Sequence, residues 1–280
     1  MKKWGAAIVL TFLAAFVWIP LWMLISGSFM GKDEVVQNIG TVFDKNDESM
    51  VSYPIIPQFP TARPFVELLL DSPGFFVMFW NSCKQVFPIL LGQLLVAVPA
   101  AWAFAKFNFK GKRLLFSLYI SLMLMPFQVT MVSSYLVLDN LNLLNTIWAI
   151  ILPGVFSTFP VFIIHRFFLG IPKSLIEAAE LDGAGQLQIF IYIGVPLGAP
   201  GILSALVLSF LEYWNALEQP LTFLKDQALW PLSLYLPNIA TDSVGVALSA
   251  SVIMLMPALL IFLFGQKYLE QGIRASGLKD

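Results

Sequence analysis

The chain has 280 residues, 58% of them hydrophobic and 12% charged, with a formal net charge of −1. A soluble domain carries about twice that charged fraction, so the composition excludes an ordinary water-soluble enzyme, and the charge balance gives no footing for a nucleic-acid partner. A single cysteine, Cys83, and a single histidine, His165, exclude an internal disulfide and a multi-Cys metal centre.

Six apolar runs reach the roughly 20 residues a membrane-spanning helix needs. They fall at 6–28, 83–105, 114–136, 147–165, 196–217 and 245–267. The expected fold is therefore an all-α membrane protein of six transmembrane helices. Lys2 and Lys3 precede the first run in the manner of a signal peptide. Residues 4–25 carry no charge, however, and no small-x-small cleavage site follows, so a retained helix is expected.

The first span, 1–28, leads into a polar extracytoplasmic segment, 29–82, with prolines at 54, 57, 60, 64 and 73. The expectation there is a partly ordered loop with one or two short helices. The five remaining spans form a core, 83–280. Its connections include the basic turn Lys106–Arg113, a loop at 166–195, a segment at 218–244 rich in Pro and aromatic residues, and a tail at 268–280. The basic turn suits either anionic lipid or topology alone. Prolines at 88, 99, 126, 153, 160 and 257 fall inside spans, where a bundle can re-satisfy the freed carbonyls. His165, beside Arg166 at a span end, reads as an interfacial residue.

With six spans both termini share one side. On that side fall Lys2, Lys3, Lys106, Lys110, Lys112, Arg113, Arg166, Lys173, Lys267, Arg274 and Lys279; only Lys32, Lys45, Arg63, Lys84 and Lys225 fall opposite. The positive-inside bias puts the termini and the 166–195 loop in the cytoplasm.

The sequence carries no Walker A motif, H-E-x-x-H, G-x-S-x-G or Cys/His cluster, and no catalysis is assigned. It shows no internal repeat of the kind that builds many secondary carriers. It also lacks a conspicuous mid-span charge; Glu212 is nearest and lies toward the outer end of the fifth run. A stand-alone secondary carrier is the alternative function, and both features weigh against it.

The loop carries the chemistry. Ser174-Leu175-Ile176-Glu177 has the form of a capping box. A helix to about Leu181 is expected to end at Gly183 or Gly185 in a left-handed turn. Leu175, Ala178 and Leu181 are expected to bury, with Glu177, Glu180 and Ala184 sharing an acidic face. The helix is too short to stand alone, so this peg must meet a partner.

The run Glu177, Ala178, Ala179, Asp182, Gly183, Ala184, followed by Phe190, Ile193, Pro196, Leu197 and Pro200, resembles the "EAA" loop of bacterial type I ABC-importer permeases. Leu141–Thr146, Phe168, Ile171-Pro172, Trp214-Asn215 and Gln266-Lys267-Tyr268 with Gly272 resemble the carbohydrate-uptake branch and its shorter maltose-type permease. The tail Ala275–Asp280 departs from that branch's G-A-V-K-G ending. The resemblance implies the type I permease fold, with a cytoplasmic coupling helix whose contact residues are Glu177, Ala178, Ala179, Asp182, Gly183, Ala184 and Pro196. It implies import of an oligosaccharide or related polyol. Its partners would be a second homologous permease, two ATPase subunits that hold the ATP and Mg, and an extracytoplasmic solute-binding protein. No cofactor is expected on this chain. Trp102, Tyr119, Phe127, Tyr135 and Phe210 are sugar-stacking candidates, against the alternative that they face lipid or neighbouring helices. The segment 218–244 is expected to reach toward the binding protein or to form an interfacial belt.

Overall fold

The computed structural model describes residues 2–39, 54–235 and 244–277. They fall into two compact units, residues 1–79 with 234–257, and residues 80–233 with 258–280. All regular elements among the described residues are helical. Five helical stretches are long and apolar enough to cross a bilayer, and a bent pair supplies a sixth candidate.

In the first unit, α1 (Lys2–Gly27) exposes Ile8, Phe12, Phe16 and Trp18 around its circumference. A helix that is apolar on every side belongs in hydrocarbon. Its far end is tied down, because Trp22 Nε1 and Ser26 Oγ both donate to the carbonyl of Ile55, at 2.8 and 3.0 Å. The expected outer segment holds two short helices, α2 (Lys32–Ile39) and α3 (Arg63–Leu70). Glu34 anchors it by accepting from the backbone N–H of Gln58 at 2.7 Å.

The outer segment ends earlier than residue 82. The next helix, α4 (Pro73–Lys106), begins at Pro73, where a proline at the first helical position gives up no hydrogen bond. The second span is thus ten residues longer at its start than the apolar run at 83–105 suggested.

In the second unit the third span is broken. Helix α5 (Lys112–Met123) and α6 (Phe127–Asn140) meet at 105°. Pro126 explains the break. It disfavours helical backbone at Met125 before it, lacks an N–H itself, and sits in extended conformation at φ −67°, ψ 149°. The single span at 114–136 is corrected accordingly. The fourth span comprises α7 (Trp148–Val155) and α8 (Thr158–Leu169), with a step at Phe156 and Ser157. A nine-residue helix, α9 (Lys173–Leu181), follows. Then α10 (Gln186–Ile189), a π-turn over Phe190–Gly194 and α11 (Val195–Trp214) run on without interruption. The fifth span therefore starts at Gln186, ahead of residue 196. After α12 (Glu218–Phe223), α13 (Val244–Gly277) passes residue 267 and takes in most of the segment assigned to a tail. Residues 278–280, and Pro237 of the 218–244 segment, lie outside the described residues.

The core of this unit packs α4, α8 and α11 together through Ala97, Ala101, Trp102, Ile164, Phe168 and Ile202. Gln93 donates to the carbonyl of Gly154 at 2.9 Å and so ties α4 to α7. The 166–195 loop grows out of this core.

Candidate functional site: the loop between α8 and α11

Pro172 sets where the loop helix begins. Its extended backbone, φ −58°, ψ 137°, ends the run from α8, and α9 starts at Lys173. Ser174 therefore lies inside the first turn and not at the cap, and no side chain caps this helix. The capping box read at Ser174 and Glu177 is corrected on that ground. A related contact occurs one helix later, where Gln188 Oε1 accepts from the Gly185 N–H at 2.9 Å. Glycine has no side chain to complete the reciprocal half.

The other end closes as the sequence suggests. Gly183 has φ +84°, a left-handed conformation that glycine adopts at little cost. The Gly183 N–H donates to Glu180 O at 3.0 Å, and the Ala184 N–H reaches back to Ala179 O at 2.9 Å. These paired bonds form a Schellman motif, which satisfies the last carbonyls of α9. Asp182 sits at the cap position, its own N–H donating to Ala178 O at 3.0 Å.

The faces of α9 differ from the expectation. Ile176, Ala179 and Ala184 pack against the core of the unit. Leu175, Leu181 and Leu187 point out, with Leu181 89% and Leu187 69% exposed. The helix begins one residue before the expected cap and enters from Pro172, and the small residues end up beneath it. Ala178, Asp182 and Gly183 are exposed with the leucines. Glu180 is committed within the loop, accepting from Gln186 Nε2 at 2.7 Å. Glu177 is exposed and, among the described residues, has no hydrogen bond or ion pair. The outer surface thus combines exposed leucines with the carboxylates of Glu177 and Asp182, neither of which has a hydrogen bond or ion pair among the described residues.

The base of the loop is clamped from α4. Trp102, 3% exposed, has its ring against Phe168 on the entering side, edge-on at 5.1 Å, and Phe190 on the leaving side at 5.7 Å. The α11 side can approach this ring because residue 194 is glycine; a Cβ there would stand 2.7 Å from Trp102 Cζ3. Lys106, at the end of the same helix, donates to Ile171 O at 2.7 Å. Pro196 lies in the first turn of α11, just past the π-turn, where the Val195 N–H donates to Phe190 O.

Sequence reasoning missed both clamps. Trp102, a sugar-stacking candidate with packing on neighbouring helices as the alternative, takes the alternative and is a buried core residue, but its place between the two sides of the loop has no sequence signal. Lys106 was read with the basic turn, yet its ammonium serves a carbonyl 65 positions along the chain. No local sequence signal marks either pairing. His165 is buried, with its ring 4.2 Å from that of Phe116.

The remaining aromatic candidates separate. Phe210 is buried and stacks on Trp214 at 5.3 Å. Tyr119 packs on Phe104 at 5.4 Å, and Tyr135 is half-buried. Phe127 lines a cavity of about 230 Å³ with Tyr213, Glu212 and Glu218.

The segment after α12 is bound down. Asn81 donates to the carbonyls of Ala228 and Trp230 at 2.6 and 3.1 Å, and Gln85 to that of Leu229 at 3.0 Å. Ser82 Oγ accepts from the Leu232 N–H at 2.8 Å. Asn145, itself at φ +58°, accepts from both Lys225 and Asp226 N–H.

Residues 93–275 match the family described as the binding-protein-dependent transport system inner membrane component. An arabinooligosaccharide transport permease of Halalkalibacterium halodurans is 29% identical, the match covering 99% of this chain and 96% of that one. An osmoprotective-compound uptake permease of Synechocystis is 33% identical over 76% of this chain and 73% of that one. A bacterial ABC transporter involved in the import of the acidic polysaccharide alginate has a chain of the same fold, with a TM-score of 0.80 at 20% identity, covering 95% of this chain and 96% of that one. The chain belongs to the binding-protein-dependent transport family: it is a multi-pass membrane permease of an ABC importer that works with a solute-binding protein, and ATP hydrolysis lies in partner subunits.

Proposed function

We propose that this permease forms half of the translocation path for an oligosaccharide or related polyol, and that α9 is the element an ATPase subunit grips. The outer surface of the loop carries this reading. Exposed leucines on a helix fixed at both ends are unfavourable in water, since each buried leucine is worth about 1.5–3 kcal/mol. A free Glu177 beside them offers a charge-assisted bond to a basic residue of the partner.

The Lys and Arg asymmetry supports a cytoplasmic loop and cytoplasmic termini, the side on which ATP is available. The assembly would hold this chain, a second homologous permease, two ATPase subunits carrying ATP and Mg, and an extracytoplasmic binding protein. Relatives that transport arabinooligosaccharides and alginate support the carbohydrate class. Nothing comparable supports the secondary-carrier alternative.

The geometry suggests how force would travel. When the ATPases close, each pulls its loop helix. The Schellman turn and the packing of Ile176, Ala179 and Ala184 make α9 move with its base. Lys106 and Trp102 pass that movement to α4, while Phe168 and Phe190 pass it to α8 and α11.

The test is ATP hydrolysis by the reconstituted complex with its binding protein, with and without neutral oligosaccharides. Stimulation by sugar supports the reading. Hydrolysis that ignores every sugar but responds to amino acids or metal ions would remove the substrate class.

A further inference from the structure

Cations from four helices and one turn gather at the end of the bundle where the loop begins. Lys106 ends α4, Lys110 lies in the turn that follows, Lys112 and Arg113 open α5, Arg166 is in the last turn of α8, and Lys173 opens α9. They cluster in space and not only in sequence. The charge of Lys173 acts on the Lys106 ammonium, and the charges of Lys112 and Arg166 both act on the His165 ring. That ring meets Phe116 of α5 at 4.2 Å, so the start of α5 lies beside the end of α8. Phe109 leans on the buried ring of Phe104 at 5.8 Å and holds the turn against α4.

Lys106 and Lys112 donate to the carbonyls of Ile171 and Phe107, bonds that neutralise no charge. None of these cations forms a salt bridge among the described residues, and Lys110, Arg113, Arg166 and Lys173 are exposed. Like charges held this close repel one another, so the cluster calls for an anion. Membrane orientation does not account for it. The positive-inside bias counts cations on a side and would be met by the same charges scattered along the tail. It gives no reason for four helices to converge them.

The surface beside the cluster identifies the anion. No residue of α5 is buried. Leu114, Leu118 and Leu122 form an exposed stripe at helical spacing that starts directly after Arg113. A ligand that satisfies both features carries a negative headgroup on an acyl chain. Its phosphate takes charge-assisted bonds from Arg and Lys while its hydrocarbon lies on the leucines. A free phosphate would make no use of the stripe.

We propose that this rim binds an anionic phospholipid, with the headgroup phosphate at Lys110 and Arg113 and an acyl chain along the leucines of α5. The site is independent of which solute the permease carries.

The experiment uses the complete permease and ATPase complex in phosphatidylcholine nanodiscs, with a bimane-labelled cysteine at Leu118 in a background freed of other cysteines. Brominated phosphatidylglycerol or brominated phosphatidylcholine with the same chains is titrated in, and quenching reports which lipid sits at the label. Phosphatidylglycerol is expected to be preferred about twentyfold at residue 118, the combined effect of two cations near an anionic headgroup. A control label at Leu95, an exposed residue of α4, should show the two lipids near parity. Lys110→Gln with Arg113→Gln should bring residue 118 to parity as well. Lys110→Arg with Arg113→Lys keeps the charges and should keep the preference. Inorganic phosphate at matched ionic strength should displace nothing. No preference in the parent, the same preference at both labels, or a preference that survives the neutral pair would each overturn the site. Displacement by inorganic phosphate would assign the cations to a free anion. Quenching by neither lipid at residue 118 would show a protein subunit covering this face, and either result would overturn the proposal.

Discussion

The ammonium of Lys106, the last residue of α4, donates to the carbonyl of Ile171 at 2.7 Å. Ile171 immediately precedes Pro172, where the chain leaves α8 for α9. A cation at the end of one span thus fixes the entry to the loop that follows another. Replacing Lys106 with Met keeps the aliphatic stem and removes the donor. The expected cost is about 1.5–3 kcal/mol, the range for a hydrogen bond to a charged group, visible as a lower melting temperature of the purified complex. Sugar transported per ATP hydrolysed should fall as well. A Lys106→Met complex with parental stability and parental coupling would show that the bond transmits nothing.

The binding of the 228–232 segment changes what a deletion there should do. Asn81, Ser82 and Gln85 on α4 hold its backbone directly, so shortening it around residues 229–235 would strand those side chains in a protein interior. Loss of assembly is the expected outcome, in place of the selective loss of transport that a free loop would give. Point changes are more informative. Asn81→Ala and Gln85→Ala should each destabilise by about 1–3 kcal/mol through carbonyls left unsatisfied, measured by thermal unfolding. Parental stability in both variants would make the segment a loose cover.

How much could be read beforehand follows from how local each feature is. Span positions follow from runs of apolar residues; five of the six reappear as helical stretches long enough to span, and the third as a bent pair. The left-handed turn at Gly183 follows from one residue type and its offset from the helix, and the φ of +84° agrees. The start of α9 lies two residues ahead of the expected one, at Lys173 in place of Leu175, because an extended Pro172 competes with a Ser cap, and sequence alone does not rank the two. Which face of α9 meets the core is set by the packing of Ile176 and Ala179. The sharp break at Pro126 was underestimated because proline in a membrane helix more often kinks it. Trp102 and Lys106 escaped notice because their partners lie 60 or more positions away, beyond any periodicity. In each case the missing information was tertiary.

Topology can be tested by labelling. In a Cys83→Ser background, a cysteine at Asp226 should react with an impermeant thiol reagent on intact cells, and one at Gly111 should not. Both positions are exposed and lie outside the helical spans, so access to reagent depends on the side of the membrane. The companion position Asn46 lies outside the described residues. Reaction at 111 with protection at 226 would put α9 on the outer face, away from ATP, and end the coupling proposal.

Glu177 and Gly183 test the loop itself. Glu177→Ala removes a free carboxylate and should abolish most sugar-stimulated ATP hydrolysis while all subunits still co-purify, because the side chain makes no hydrogen bond or ion pair among the described residues. Glu180→Ala should matter less, since its bond to Gln186 only trims the loop. Ser174→Ala should be nearly silent, because Ser174 does not cap α9. Gly183→Val should act through the backbone. A side chain in the left-handed region costs roughly 1–2 kcal/mol, and more when β-branched, so the Schellman turn should open and α9 should lose its fixed end. Gly183→Asn supplies the control, because asparagine tolerates this conformation and should retain most activity. The measurements are ATP hydrolysis and sugar uptake in proteoliposomes, with subunit stoichiometry after purification. If Glu177→Ala and Gly183→Val both match the parent, α9 is not where the ATPase pulls. A defect in Ser174→Ala equal to that of Glu177→Ala would instead point to helix stability, and not to contact, as what the loop supplies.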